Sequence, residues 1–140
     1  MKENYIYYTL QRWLKNVDDQ EKLHELELIR IESGSTINGL PDIYFDSKYF
    51  TGWIEDKQIT WPKRKTTNIK IPWRPGQRKF LNNIYNKHNR FLKSFLLVVD
   101  ENKNMFLFTG ILKEAYTQKE FSLFSRPIQR LDDFLYYVFL

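Results

Sequence analysis

Hydrophobic residues recur along the chain with two different periods, which predicts helices and strands together. The first run has helical spacing and predicts an amphipathic helix from about Glu3 to Asn16. A second helix is expected to begin around Pro75, an imino acid tolerated in a first helical turn, and to continue to about Asn89. A third helix is expected after Pro127, where apolar residues again recur at helical intervals.

Shorter apolar runs between these helices predict β-strands. In residues 23–32 the apolar positions first alternate, at Leu26 and Leu28, and then shift to the other strand face, at Ile29 and Ile31. This pattern favours a strand buried on both faces. Residues 42–46 and 52–59 predict a hairpin, and residues 94–99 and 105–109 predict a second antiparallel pair. This order of elements predicts an α/β or α+β fold in which helices flank a central sheet. With a length of 140 residues, we expect residues 1–140 to form a single domain.

Composition limits the chemistry that such a domain can perform. The chain has no cysteine and only 2 histidines, which excludes disulfides and cysteine-type zinc sites and favours a hard cation bound by oxygen atoms. No apolar run approaches the roughly 18 residues of a membrane span, so the sequence predicts no membrane association. We therefore expect an intracellular protein.

Basic residues are concentrated in one segment. The net charge is +5, yet residues 58–99 contain ten basic residues and no acidic one, which leaves 12 basic and 17 acidic residues elsewhere. A strongly basic face inside a mildly acidic protein favours a polyanionic partner, and nucleic acid is the leading one. A solvated lysine-rich surface is the alternative. The predicted DNA-binding residues are Lys63, Arg64, Lys65, Arg74, Arg78, Lys79, Lys87 and Arg90.

Two carboxylates and an ammonium group are expected to meet in the first hairpin. Strand pairing brings Asp42 beside Glu55 and Lys57, whereas alternation directs Asp56 to the other face. Converging carboxylates are costly unless a cation lies between them, so the pattern predicts a Mg²⁺ or Mn²⁺ site held by Asp42 and Glu55, with Asp56 as a further donor. The alternatives are a surface ion pair for Glu55 and Lys57 and a strand-start role for Asp42.

Three short segments resemble one enzyme superfamily. Residues 39–42 (GLPD), 53–57 (WIEDK) and 74–77 (RPGQ) look like the PD-(D/E)XK nucleases, most closely the VRR-NUC type and phage Holliday-junction-resolvase-like members. The resemblance implies a restriction-endonuclease-like mixed sheet flanked by helices. It also implies catalytic roles for Asp42, Glu55, Lys57 and Gln77. The family often has a further acid in its first helix, for which Glu3 is one candidate and Glu32 another.

The resemblance implies a Mg²⁺- or Mn²⁺-dependent DNA endonuclease that hydrolyses phosphodiester bonds in branched or recombining DNA. It is compatible with a homodimer or with association with a larger phage assembly, in a bacterial or phage-infected cell or in a virion. The alternative is a catalytically silent protein that retains the fold and binds nucleic acid or serves a virion. The complete set of acids, lysine and glutamine favours catalysis.

Overall fold

The computed structural model describes residues 4–31 and 39–140. Its helices are α1 (Tyr5–Lys15), α2 (Gln77–Asn86), α3 (Gln118–Phe124) and α4 (Leu131–Val138), with a short 3₁₀ helix at Gln20–Leu23. Its strands are β1 (Glu27–Arg30), β2 (Ile43–Asp46), β3 (Thr51–Gln58), β4 (Ile69–Lys70), β5 (Leu92–Val99), β6 (Met105–Phe108), β7 (Ala115–Tyr116) and β8 (Ser125–Ile128).

Six strands form a mixed sheet in the order β1-β2-β3-β5-β6-β8. The pair β3 and β5 is parallel, and every other neighbouring pair in this sheet is antiparallel. Helix α2 belongs to the crossover between the two parallel strands, as such a connection requires. The predicted mixed sheet with flanking helices is thus confirmed, as are both predicted antiparallel pairs.

Strand β5 is buried on both faces of the sheet. Phe95, Leu97 and Val99 pack in the layer formed with α1 and α4. Leu96 and Val98 pack in the opposite layer, with residues of α2, α3 and the small β4-β7 sheet. The continuous apolar sequence of β5 is what a central strand covered on both sides requires.

The structure corrects the expectation for residues 23–32. The residues before β1 form a 3₁₀ helix, and β1 itself lies at the edge of the sheet that the described residues form. Leu28 is buried, but Ile29 is 45% exposed because it faces away from the core. The predicted strand buried on both faces is therefore wrong.

Helix α2 begins later and ends earlier than expected. Gly76 caps it in the left-handed region (φ 85°), so Pro75 precedes the helix and does not occupy its first turn. Pro127 lies in β8, an edge position where the missing N–H does no harm to the sheet. Within residues 4–31 and 39–140, no helix is long and apolar enough to cross a membrane.

Candidate active site

The hairpin of β2 and β3 sets the position of the acidic residues. Ile43 pairs with Ile54, so Asp42, one residue before β2, comes beside Glu55. The backbone carbonyl of Asp42 also accepts a hydrogen bond from the Ile31 N–H at 2.8 Å, which ties this point to the end of β1. The sheet register thus fixes where Asp42 meets Glu55.

Three carboxyl groups converge at this end of the hairpin. One oxygen from each of Asp42, Glu55 and Asp56 lies within 4.8 Å of the other two. Asp56 shares its strand face with Ile54, which packs in the α1 and α4 layer, whereas Glu55 faces α2. Although strand alternation directs Asp56 to the face opposite Glu55, one of its carboxyl oxygens still lies close to the other two acids, so it can act as the further metal donor that the sequence predicts.

Glu55 is fully buried and only half satisfied. Its Oε1 accepts a hydrogen bond from Gln77 Nε2 at 3.0 Å and lies 3.4 Å from Lys57 Nζ. Its Oε2 is buried and has no hydrogen-bond partner among the described residues. A buried carboxyl oxygen without a donor is costly, and sites that bind ligands account for many such exceptions.

Gln77 connects α2 to the acidic cluster. Its Oε1 accepts a hydrogen bond from the Arg74 backbone N–H at 2.8 Å, while its amide group donates to Glu55. The side chain is 4% exposed and is thus held at both ends in a buried position. The motif glutamine consequently faces the sheet, where its amide fixes the orientation of Glu55.

The acids divide their protons unequally. Burial, followed by the nearby Asp42 carboxylate, raises the pKa of Glu55 to about 9. Burial alone would also raise the pKa of Asp42, but interactions with the Glu55 and Asp56 side chains and the charge of Lys57 outweigh it and lower that pKa. Near neutral pH the pair therefore consists of a protonated Glu55 and an ionised Asp42.

Two glycines bring the acidic edge against the start of α2. A Cβ atom added to Gly39 would lie 2.7 Å from the backbone carbonyl carbon and oxygen of Gly76. Both glycines also have positive φ, which other residues rarely adopt (90° and 85°). This close backbone approach places the segment before Asp42 beside the helix turn that carries Gln77. The glycines of the two sequence motifs could have indicated it.

The cluster opens into a cavity of about 340 Å³. The cavity is lined by the three acids together with Lys57, Arg74 and Gln77. Asn4, Tyr5 and Ile6, at the start of α1, also line it. The α1 residues were not predicted to belong to the site, since nothing in their local sequence distinguishes them from a core helix start. Glu3 and Glu32, the two candidates for an additional acid, lie outside the described residues.

The donors at this edge fit a divalent oxygen-liganded cation. Three carboxyl groups supply oxygen atoms, and the buried Oε2 of Glu55 lacks any other partner among the described residues. Mg²⁺ and Mn²⁺ prefer carboxylate and water oxygens over the nitrogen and sulfur ligands that zinc and copper favour. The residues present therefore suit the metal that the sequence resemblance implies.

The predicted DNA-binding residues occupy several parts of the surface. Arg74 lines the acidic cavity, whereas Lys63, Arg64 and Lys65 form an exposed loop after Trp61. Arg78 forms an ion pair with Glu114, in which Nη2 lies 3.6 Å from Oε1, so part of its charge is neutralised within the protein. Lys79, Lys87 and Arg90 are exposed.

Comparison with known proteins supports the fold. No family model and no curated protein matches the sequence. Among solved structures, the chain is similar to Hjc of Archaeoglobus fulgidus, a Holliday junction resolvase from an archaeal hyperthermophile, with a TM-score of 0.57. The match covers 99% of this chain and 100% of Hjc at 12% sequence identity. The predicted restriction-endonuclease-like fold, a mixed sheet flanked by helices, is thereby confirmed.

Proposed function

We propose that this protein is a divalent-metal-dependent endonuclease that hydrolyses phosphodiester bonds in branched DNA. The observation that carries the proposal is the half-satisfied carboxyl group of Glu55, buried among two further acids and a lysine at an open cavity. A purely structural acid at 0% exposure would be expected to have all its oxygens satisfied. The shared fold with a Holliday junction resolvase supports DNA as the substrate class.

Asp42, Glu55 and Asp56 are the residues that would hold Mg²⁺ or Mn²⁺. Once bound, such an ion polarises a phosphate and lowers the pKa of a coordinated water molecule. Glu55 has to release its proton to become a ligand, since its pKa of about 9 leaves it protonated near neutral pH. Gln77 keeps Oε1 of Glu55 oriented during that change, because its own amide is fixed by the Arg74 backbone.

Lys57 and Arg74 supply positive charge at the cavity. The Lys57 ammonium group, 3.4 Å from Glu55, can stabilise the charge that develops on the phosphate during hydrolysis. Arg74 lines the same cavity and can bind a neighbouring phosphate oxygen. Lys63, Arg64, Lys65, Arg78, Lys79, Lys87 and Arg90 remain the predicted contacts to more distant phosphates.

Branched DNA further implies that two active sites act on one junction, which favours a homodimer. A phage origin, the VRR-NUC subtype and virion association remain predictions from the sequence resemblance alone. A catalytically silent DNA-binding protein remains the competing interpretation, and it differs from the proposal in one measurable way: it would bind DNA without cutting it.

The test is cleavage of supercoiled, linear, single-stranded and four-way-junction DNA with Mg²⁺, followed by chelation with EDTA. We expect metal-dependent cleavage, with the junction as the preferred substrate, and loss of cleavage in Asp42→Asn with binding retained. Asp46→Asn is the matched control, because Asp46 ends β2, the strand that follows Asp42, and is exposed and outside the cavity. Cleavage that survives EDTA, or binding with no cleavage of any substrate, would contradict the proposal.

A further inference from the structure

A second cavity, of about 480 Å³, adjoins the acidic one. It lies between α1 and the segment from Lys103 to Phe106, with residues 127–129 completing its wall. Tyr5 lines both cavities and therefore forms the boundary between them. A strand held with one phosphate at the acids would pass Tyr5 to reach this second space.

The lining of the second cavity is positively charged, although all of its residues lie outside the basic segment 58–99. Outside residues 58–99 the chain has 12 basic and 17 acidic residues, yet the residues that line this cavity include Arg12 and Lys103 and no acid. Both side chains belong to exposed residues. Two cations without a lining acid favour a negatively charged occupant.

Aromatic rings line the second cavity together with these two cations. Tyr5 and Trp13 are half-buried residues that pack against the core and also line the cavity. Lys103 Nζ lies 5.9 Å from the centroid of the Tyr5 ring. Cations combined with aromatic faces characterise sites for single-stranded nucleic acid, where bases stack on rings and cations bind the backbone.

The cavity wall is held in place before any ligand arrives. Lys103 has a positive φ (66°), and its backbone N–H donates to the Asp100 carbonyl at 3.1 Å. The Asp100 carboxylate also accepts hydrogen bonds from the backbone N–H groups of Asn102 and Asn104, each at 2.9 Å. A turn fixed in this way already holds the Lys103 backbone, so binding has to order only the side chain.

We propose that this second cavity binds an unpaired nucleotide of the strand whose scissile phosphate lies at the acidic cavity. The base would stack on Trp13 or Tyr5, and Arg12 and Lys103 would bind the flanking phosphates. The inference rests on the proposed function, since it takes DNA as the substrate. It adds that the protein selects sites where the duplex ends or opens, because a fully paired base cannot enter.

The test measures binding of three DNAs in EDTA, where metal-dependent cleavage is suppressed: a blunt duplex, the same duplex with a short unpaired adenosine tail, and the duplex lengthened by the same number of base pairs. We expect the tailed DNA to bind about fivefold or more tightly than the paired extension. Because both carry the same added phosphates on the tailed strand, the difference reports the unpaired bases. We also expect the tail to quench tryptophan fluorescence.

Two variants assign the preference to the cavity. Arg12→Ser with Lys103→Ser should reduce the preference for the tail to below about twofold and leave blunt-duplex affinity nearly unchanged. Trp13→Leu keeps an apolar side chain against the core and should abolish the tail-induced quenching. Lys15→Ser with Lys48→Ser is the matched control, since both lysines are exposed and neither lines the cavity. Melting temperatures of all variants check folding.

Equal affinity for the tailed and the paired extension in the wild type would overturn the inference, as would a preference that survives in both cavity variants. Either result leaves metal-dependent cleavage untouched, so failure here is distinguishable from failure of the proposed function. A protein that binds none of the three DNAs would also overturn the inference, while cleavage of four-way-junction DNA with Mg²⁺ remains the separate test of the proposed function.

Discussion

Two buried carboxyl groups in this protein have opposite surroundings. Glu55 is 0% exposed and Asp100 is 2% exposed. Asp100 lies in the turn between β5 and β6 and accepts hydrogen bonds at both oxygens, including one from Trp61 Nε1 at 2.8 Å. Glu55 has a donor at one oxygen, a lysine nearby, and no hydrogen-bond partner for the other oxygen among the described residues.

The pKa values follow from these surroundings. Burial alone would raise the pKa of Asp100, but the hydrogen bonds from Trp61 and Asn104 outweigh it and lower that pKa. At Glu55, burial is reinforced by the Asp42 carboxylate, and the pKa rises to about 9. A buried carboxylate whose oxygens all accept hydrogen bonds is typical of a structural role, here in a turn. A buried carboxyl group that lacks such donors and lies beside other acids is typical of a functional site, here a candidate cation site.

The largest expected effect is on DNA cleavage, which should depend on Glu55 but not on Asp100. Glu55→Gln keeps the shape of the side chain and an acceptor for Gln77, but removes the charge that a metal needs. We expect cleavage to fall by more than about a hundredfold, since even partners of metal ligands cost 10- to 100-fold. Asp100→Asn should retain activity within a few fold and lower the melting temperature instead. Equal losses in the two variants would remove the distinction between them.

The second prediction concerns stability in metal-free buffer. The pKa of Glu55 is higher in the folded protein (about 9) than its ordinary value of 4.5. The stabilisation of the folded state that results is complete below about pH 4.5 and is lost as pH rises through about 9. One pKa unit corresponds to about 1.4 kcal/mol, so the wild type should lose several degrees of melting temperature between pH 6 and 9 relative to Glu55→Gln.

Asp100 should show the reverse dependence. Its lowered pKa stabilises the folded state above its ordinary pKa of 3.8, and that contribution is lost as pH falls through the folded value. Melting curves of the wild type, Glu55→Gln and Asp100→Asn across pH 3 to 9.5 test both signs. Parallel curves for the wild type and Glu55→Gln on the alkaline side would show that Glu55 is ionised in the folded protein.

The third prediction asks how far the Glu55 environment depends on Gln77. Gln77→Ala removes the donor to Glu55 and the contact with the Arg74 backbone, so the carboxyl group loses its fixed orientation. We expect cleavage and metal affinity to fall about 10- to 100-fold, a loss typical for residues that orient ligands. Gln20→Ala is the control, because the Gln20 amide makes a hydrogen bond to the Val17 carbonyl at an exposed position outside the acidic cavity. A wild-type metal affinity in Gln77→Ala would contradict the positioning role.

How much of this could be predicted from the sequence depends on the range of the interaction. Asp42 and Glu55 were expected to meet because hairpin pairing is local. Gln77 was named by resemblance, and its spacing from the buried Leu81 and Ile84 on α2 agrees with its position towards the sheet. Asp56 was expected as a further donor although alternation directs it to the opposite face, and the sequence alone could not show that its carboxyl group still comes within 4.8 Å of the other two acids. Glu3 and Glu32 were named by resemblance and stay predictions.

Strands and contacts that depend on residues distant in sequence could not be predicted from the hydrophobic pattern. Strands β4 and β7 have two residues each and exist because they pair with each other across 45 positions of chain, from Lys70 to Ala115. No periodicity can appear in so short a run. The edge position of β1 was missed for a related reason: an apolar residue such as Ile29 does not show in sequence whether another strand covers it. Asp100 carried no motif, and its role depends on a partner, Trp61, that is distant in sequence.

The smallest expected effect concerns the loop that Asp100 helps to hold. Trp61 donates to Asp100 through its ring and to Glu101 through its backbone N–H, and its ring packs on Phe106 and Phe121. Lys63, Arg64 and Lys65 follow this anchor and are exposed, so they can be replaced without disturbing the core. The comparison of the two acids then extends to DNA: Glu55 is proposed to act in the reaction, and Asp100 helps to hold the loop that is predicted to bind phosphates.

Replacing Lys63, Arg64 and Lys65 together by Ala should weaken DNA binding about tenfold at moderate salt, equally for all sequences, because phosphate contacts carry no base information. Each lost contact removes about 0.9 from the slope of log K against log salt, so the slope should flatten by about 1 to 3. A triple variant of Lys15, Lys22 and Lys48 is the charge-matched control and should leave the slope unchanged. If the loop variant also keeps its slope, the loop faces away from the DNA, and Asp100 then stabilises the fold without serving the substrate.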